Sequence, residues 1–203
     1  MKKGFWFGFI LFNSIILIYL LKFSRLDQII LINQTHSAFG DSIFVLLSFL
    51  AEILIPILLA IFVFIKKRSD FYVLLLSYFI VTIVVQLLKH QIFPEYARPI
   101  SYFADQNINF YTIKGLIIHQ RNSFPSGHTA TAWWIAFWLV RLFAKNNKQA
   151  ILFSSFGFGV ALSRVYLLQH FPVDTLFGGL IGTVLTYLCV FFYTKIYVKN
   201  LDQ

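Results

Sequence analysis

Long, continuous runs of apolar residues, separated by shorter polar stretches, make up most of this chain. Six runs have about 18 to 24 residues, the length that an α-helix needs to cross a hydrocarbon layer about 30 Å thick. Because they do not alternate with polar residues, these runs are not typical of membrane β-strands. The pattern predicts an all-α integral membrane bundle of six transmembrane helices in a single domain, residues 1–203, with helices at residues 4–21, 42–65, 71–88, 126–143, 149–168 and 173–193.

The longest polar stretch, residues 90–124, joins the third and fourth predicted helices. It combines aromatic with polar residues and contains Pro94 and Pro99, a mixture that is typical of the membrane–water interface. Loops of this length usually have a function. We therefore expect short interfacial helices, or a cap, close to the entrance of a functional site.

Composition supports the membrane assignment and narrows the possible partners. The chain is 59% hydrophobic and 12% charged, whereas soluble domains have about 25% charged residues. Cys189 is the only cysteine, which excludes a disulfide within the chain and a cysteine metal site, and we expect it to be a small buried hydrophobe. The net charge of +9 does not indicate a nucleic acid partner, because the basic residues stand at the ends of the apolar runs.

The distribution of lysine and arginine predicts the orientation in the membrane. If the amino terminus is cytoplasmic, ten basic residues lie inside: Lys2, Lys3, Lys66, Lys67, Arg68, Arg141, Lys145, Lys148, Lys195 and Lys199. Seven lie outside: Lys22, Arg25, Lys89, Arg98, Lys114, Arg121 and Arg164. We therefore expect both termini in the cytoplasm of a bacterial inner membrane, and the first apolar run to be a retained anchor, not a cleaved signal peptide.

Three polar clusters interrupt the apolar pattern, and the predicted orientation places all of them at the outer face. They are Lys89 with Arg98 and Pro99, then Pro125 to His128, and then Ser163 and Arg164 with His170 and Asp174. Ionisable residues between membrane helices are costly and usually functional. Two arginines, a lysine, two histidines and a carboxylate are side chains suited to binding and cleaving a phosphate ester.

The third cluster has the spacing of a nucleophile and its orienting partner. His170 and Asp174 are four residues apart, so they share one face if a helix begins there, and Pro172 suits its first turn. A carboxylate that accepts from Nδ1–H leaves Nε2 free as a nucleophile or general base. Arg164, at the end of the preceding helix, can bind two phosphate oxygens at once.

The second cluster predicts the start of a helix that faces an anion. Ser126 is expected to cap this helix, and Gly127 allows a ligand to approach the backbone closely. The unpaired N–H groups and the helix dipole then favour a phosphate, and His128 is placed to act as a general acid. Lys89 and Arg98 would add positive charge around the remaining oxygens.

Together these residues resemble the type-2 phosphatidic acid phosphatase family, which includes lipid phosphate phosphatases and vanadium-dependent haloperoxidases. Its signatures are Lys-x6-Arg-Pro, Pro-Ser-Gly-His and Ser-Arg-x5-His-x3-Asp. The second signature is complete, and the third keeps both spacings, at Ser163, Arg164, His170 and Asp174.

The first signature departs from the family pattern. Eight residues, not six, separate Lys89 from Arg98. We expect a bulge at Pro94 and Glu95 to absorb the two extra residues; the alternative is that Lys89 only anchors the end of a helix.

The resemblance implies a membrane phosphatase that acts on a lipid phosphate without a metal or other cofactor. His170 would attack phosphorus and form a phosphohistidine, Asp174 would orient it, and His128 would protonate the departing oxygen. The phosphoryl oxygens would be held by Lys89, Arg98, Ser126, Gly127 and Arg164. Candidate substrates are phosphatidylglycerol phosphate, phosphatidic acid, undecaprenyl diphosphate and the phosphates of lipid A.

Three alternatives to a phosphatase stay open. A phosphotransferase would pass the same phosphohistidine to an acceptor lipid, and a haloperoxidase would hold vanadate. A lipid-phosphate binder or channel would need neither an acid nor an aligned nucleophile. The pattern does not determine the lipid headgroup or the oligomeric state.

Several other residues are expected to have structural roles. We expect Glu52, inside the second helix, to be protonated or hydrogen-bonded, because a charge there costs about 2.5–3.5 kcal/mol. Ser163 is expected to cap or pack, and Gly178 and Gly182 to pack helices within the bundle. Surface or interfacial positions are expected for His36, His90 and His119, and an aromatic belt or a lipid-facing position for Trp133, Trp134 and Trp138.

Overall fold

The computed structural model describes residues 1–198, and within them the chain is all-helical. Lys199, counted above among the cytoplasmic cations, and residues 200–203 of the predicted domain lie outside the described residues. The α-helices are α1 (Lys3–Lys22), α2 (Arg25–Asn33), α3 (Ala38–Phe49), α4 (Ile55–Lys66), α5 (Arg68–Leu87), α6 (Pro99–Tyr102), α7 (Gly127–Phe143), α8 (Asn147–Tyr166) and α9 (Pro172–Tyr193).

Each of the six predicted segments coincides with helix, although several bounds differ. The second begins at Ala38, four residues earlier than predicted, because Ser37 caps α3 by accepting from the Gly40 N–H. Of the described helices, four stretches are long and apolar enough to cross a membrane: Lys3–Lys22, Ala38–Lys66, Arg68–Ile92 and Pro172–Ile196. Helix α7 has 17 residues, and neither α7 nor α8 is among these four stretches.

Helices α3 and α4 form one continuous rod, joined by a π-helical turn at Leu50–Leu54. Pro56, in the first turn of α4, lacks the N–H that would donate to the carbonyl of Glu52, and a wider turn accommodates this loss. A second π-helical turn, Leu88–Ile92, follows α5. The first of these turns contains Glu52, and the second contains Lys89.

The loop between α5 and α7 contains little regular structure beyond α6 and a 3₁₀ turn at Ala104–Gln106. It is attached to α2, a helix that the apolar pattern did not predict because it has only nine residues. The Asn33 side chain accepts a hydrogen bond from Tyr111 N (2.9 Å) and donates one to Tyr111 O (2.9 Å). Helix α2 thus holds the middle of this loop against the same end of the bundle.

Helix α7 forms the centre of the core, packed between α5, α8 and α9. Trp133, Trp134 and Trp138 are at most 1% exposed, so the prediction of an aromatic belt or lipid-facing position was wrong. The indole N–H groups of Trp134 and Trp138 donate to Ser77 Oγ at 2.9 and 3.3 Å. A buried indole needs such an acceptor, and the α7 sequence alone does not show that α5 supplies one.

Helix α9 lies unusually close to α7 because glycines of α9 face α7. A Cβ atom on Gly178 would collide with the carbonyl oxygen of Ser126, and one on Gly182 with that of Ala130. The expectation that these two glycines pack helices within the bundle is therefore confirmed.

The helix ends form two groups, one at each end of the bundle. Lys2, Arg141 and Lys195 line a single cavity of about 810 Å³, so the start of α1 lies beside the ends of α7 and α9. Arg141 pairs with Asp70 at 3.1 Å, which places the start of α5 at this same end. The three polar clusters all lie at the opposite end of the bundle.

We expect Gly182→Ala to lower the free energy of unfolding by about 1–3 kcal/mol, because the added methyl group meets backbone that cannot move aside. Thermal unfolding in detergent measures the effect. Gly159→Ala is the matched control, because its Cβ would lie 3.5 Å from Leu47 Cδ1, an ordinary contact. Equal stability of the two variants would contradict the packing argument.

Candidate active site

A cavity of about 490 Å³ lies among α3, α5, α7, α8 and the loop before α7. Six of the eight predicted site residues line it: Lys89, Arg98, Gly127, His128, Arg164 and His170. Ser126 and Asp174 are fully buried directly behind this lining. The structure therefore brings the three sequence clusters together.

His170 and Asp174 face each other in the interior of the protein. His170 Nδ1 lies 3.5 Å from Asp174 Oδ2, and both side chains are 1% exposed. Two donors lie closer to Asp174 Oδ2 than His170 does. They are the Ser123 hydroxyl, and the Phe171 N–H at 2.9 Å. The carboxylate is thus held in place by the loop and by its own helix start, while His170 Nδ1 lies 3.5 Å from both Asp174 Oδ2 and Ser123 Oγ.

The environment of His170 keeps its imidazole uncharged. Burial is the main cause that lowers the pKa of His170 well below its ordinary value, and the positive charges of Lys89, Arg98 and Arg164 lower it further. A neutral imidazole whose Nδ1 faces a carboxylate has its lone pair at Nε2, which is the form that a nucleophile requires.

The start of α7 has the predicted cap. Ser126 Oγ accepts from Thr129 N at 3.4 Å and from Thr129 Oγ1 at 3.0 Å. The Ser126 N–H donates to the carbonyl of Asp174 at 3.0 Å, so the second and third clusters are joined by a backbone hydrogen bond. Gly127 and His128 follow in the first turn of α7 and face the cavity.

Three cations are fixed around the cavity by backbone and side-chain oxygens. Lys89 Nζ donates to the carbonyl of Asn122 at 3.1 Å. Arg98 donates to the carbonyls of Arg121 and Gln169 at 3.0 and 3.1 Å. Arg164 donates to Ser48 Oγ at 2.8 Å, while its buried Nε has no hydrogen-bond partner among the described residues. That N–H suits an incoming phosphate oxygen.

Two consecutive turns connect Lys89 with Arg98, and the role of Pro94 and Glu95 in absorbing the two extra residues stays a prediction. Lys89 lies in the π-helical turn Leu88–Ile92, and Pro94 and Glu95 form a turn directly after it. Lys89 and Arg98 consequently line the same cavity despite the two extra residues.

Sequence reasoning assigned no active-site role to several residues that the structure places here. Glu52 Oε2 lies 3.3 Å from His128 Nε2. Gln169 Oε1 accepts from Arg98 at 2.6 Å, and Ser123 donates to Asp174. His119 is exposed, in agreement with the expected surface or interfacial position, and it also lines the cavity. Partial burial, together with the nearby Arg98, lowers its pKa. Only Glu52 carried a signal in the sequence, as a carboxylate inside an apolar run.

His36 and Ser163 are not among the residues that line this cavity. His36 Nδ1 lies 2.7 Å from Asp41 Oδ1, and its Nε2 lies 3.1 Å from the carbonyl of Tyr166. These contacts connect α3 with the end of α8. Ser163 packs, as expected, with its hydroxyl 3.1 Å from Ser48 Oγ.

Comparison with known proteins defines the class of protein. The family model of the PAP2 superfamily matches residues 71–197, more than half of the chain. The chain belongs to this superfamily and is an integral membrane protein.

Two solved structures and one sequence relative are similar to the chain. Aquifex aeolicus LpxE has a TM-score of 0.67 and 26% identity, over 83% of this chain and 96% of that one. A transmembrane PAP2-type phosphatidylglycerolphosphate phosphatase from Bacillus subtilis has a TM-score of 0.68 and 22% identity, over 97% and 98%, a likeness of fold. The Bacillus licheniformis bacitracin transport permease protein BcrC is 41% identical over 80 residues, 39% of this chain and only 37% of that relative's length.

We expect His170 to remain uncharged at pH 6, where an ordinary histidine, with a pKa of about 6.5, is mostly protonated. Because its pKa is lowered, protonation begins only at more acidic pH. Nitrogen NMR of histidine-labelled protein in detergent measures this titration, and His170→Gln assigns the signal. A midpoint at or above 6.5 would contradict the described environment.

Proposed function

We propose that this protein hydrolyses a lipid phosphate or diphosphate through a phosphohistidine formed on His170. The observation that carries this proposal is one cavity in which a buried histidine faces a carboxylate, a second histidine begins a helix, and three fixed cations surround the space between them. Each group matches a need of phosphoryl transfer: a nucleophile, an acid and stabilisation of the charge that develops.

The first step is attack of His170 Nε2 on phosphorus, while Asp174 holds the ring by its Nδ1 side. The bond from phosphorus to the leaving oxygen breaks, and His128 donates a proton to that oxygen. In the second step a water molecule attacks the phosphohistidine, and His128, now neutral, accepts a proton from the water. Phosphate is released and His170 is restored.

Arg98, Arg164 and Lys89 would bind the phosphoryl oxygens during both steps, with the N–H groups at the start of α7, beside Ser126 and Gly127. These cations are already held by hydrogen bonds, so little reorganisation is needed when charge develops on the oxygens. Because the protein's own cations would neutralise the phosphate, we propose that no metal takes part.

The lipid tail would enter the cavity from the side. Apolar side chains of α3 and α5 line its deeper part, among them Val45, Phe49, Tyr78 and Val81. An apolar wall next to a ring of cations suits a substrate with one charged end and one hydrocarbon end. This supports a lipid phosphate and leaves its headgroup open.

In the membrane we propose six spans, which adds α7 and α8 to the four apolar stretches. Helix α7 needs little apolar surface of its own because its neighbours cover it, and most of its residues are buried. With the termini cytoplasmic, the cavity and the loop of residues 90–124 face the outer side, and this loop would form an interfacial cap. The charge count and the segregation of the helix ends support this orientation.

Release of inorganic phosphate from pure lipid phosphates in detergent, with a chelator present, tests the proposed reaction. We expect turnover without any acceptor lipid, and a loss of about 10³-fold or more in His170→Ala. The matched control is His90→Ala, because His90 is exposed and, among the described residues, its hydrogen-bond partner is Asn122 at 3.4 Å. A requirement for an acceptor would favour a phosphotransferase, and a loss on chelation would contradict the metal-free reaction.

Labelling of single cysteines tests the orientation. In a Cys189→Ser background, Lys114→Cys lies in the loop before α7, and Lys67→Cys lies between α4 and α5 at the other end. Both positions are exposed. We expect a membrane-impermeant maleimide added to intact cells to label residue 114 and not residue 67. The reverse result would invert the proposed topology.

A further inference from the structure

Glu52 has an unusual position for a carboxylate in a membrane helix. It lies in the π-helical turn between α3 and α4, and its Oε2 is 3.3 Å from His128 Nε2. Of the described residues that line the cavity, it is the only carboxylate. Its side chain is 57% exposed and that of His128 24%, so the pair lies where a substrate can reach it.

The charges around His128 indicate what its contact with Glu52 could do in the reaction. Lys89, Arg98 and Arg164 share the cavity with His128 and Glu52. The other titratable side chains that line it are Tyr78, His119 and His170. Three cations make a further positive charge unfavourable, yet a general acid must carry its proton before the bond to the leaving oxygen breaks. A carboxylate close to this imidazole offsets part of that cost, in addition to the charge of the bound phosphate.

We propose that Glu52 is a positioning residue that keeps His128 protonated and directs it towards the leaving group. The inference rests on the function proposed above, in which His128 is the general acid. Glu52 remains a carboxylate throughout and accepts a hydrogen bond from the imidazolium. When the bond from phosphorus to the leaving oxygen breaks, its electron pair goes to that oxygen, which takes one proton from His128 and leaves a neutral imidazole.

The backbone explains why Glu52 can reach His128. The π-helical turn that accommodates Pro56 changes the direction of the side chains before it, compared with a regular α-helix. The residue thus combines a helix defect with a charge inside the bundle, and both are costly features that are usually retained for function.

The proposal predicts a dependence on the leaving group. An alkoxide is a poor leaving group that needs a proton from His128, whereas p-nitrophenolate leaves readily without one. Glu52→Gln retains an oxygen that can accept from His128 and removes only the negative charge. We expect this variant to hydrolyse dodecyl phosphate about 10- to 100-fold more slowly, and p-nitrophenyl phosphate at nearly the wild-type rate.

The same variant should shift the pH dependence of dodecyl phosphate hydrolysis. Without the carboxylate, His128 loses its proton at lower pH, so the decline of activity on the alkaline side should move to lower pH. The control is Glu95→Gln, which removes an exposed carboxylate whose partner is Arg121 at 3.5 Å. We expect this control to match the wild type with both substrates.

The outcomes separate this inference from the function on which it rests. Equal losses on both substrates, or no loss on either, would overturn the role of Glu52 even if the wild type is an active phosphatase. His170→Ala should lose both activities. If the wild type releases phosphate from neither substrate, or if His170→Ala retains both activities, the proposed function fails and this inference fails with it.

Discussion

The close approach of α9 to α7 is the constraint on which the site depends. Gly178 has no side chain, so the backbone of α9 can lie against the carbonyl of Ser126. At this distance the Ser126 N–H donates to the carbonyl of Asp174. The residue that orients the proposed nucleophile and the residue that caps the helix of the proposed acid are therefore connected directly. A larger side chain at the glycine would separate them.

This connection gives the buried charges a rigid support. Asp174 is fully buried at the start of α9, where its Oδ2 receives bonds from Ser123 and from Phe171 N–H. A carboxylate in that position requires such donors, because desolvation without them would favour its neutral form. Ser123 comes from the end of the long loop, so the loop contributes to the geometry of the site as well as covering it.

The sequence predicted the apolar helices and the residues that gather at their ends, because both depend on local patterns. Helix spacing brings His170 and Asp174 together, and a serine before Gly127 caps a helix in almost any context. The tryptophans of α7 were misplaced because a helix in the centre of a membrane bundle is as apolar as one facing lipid. The burial of all three, and the contacts of Trp134 and Trp138 with Ser77 more than fifty residues away in the chain, distinguish the two.

The roles of Glu52 and Gln169 could not be predicted from the sequence either. Neither is a defined position of a signature, and their roles depend on what packs opposite: Glu52 meets the start of α7, and Gln169 meets Arg98 of the loop. Both residues also affect the balance between positive and negative charge in the site. The site collects three cations before a phosphate arrives, and each is fixed by a carbonyl, a hydroxyl or an amide oxygen that does not cancel its charge. Their full charge is thus available to phosphate oxygens. Among the described residues that line the cavity, the one carboxylate lies beside the histidine proposed to donate a proton, where its negative charge favours the protonated form of that histidine.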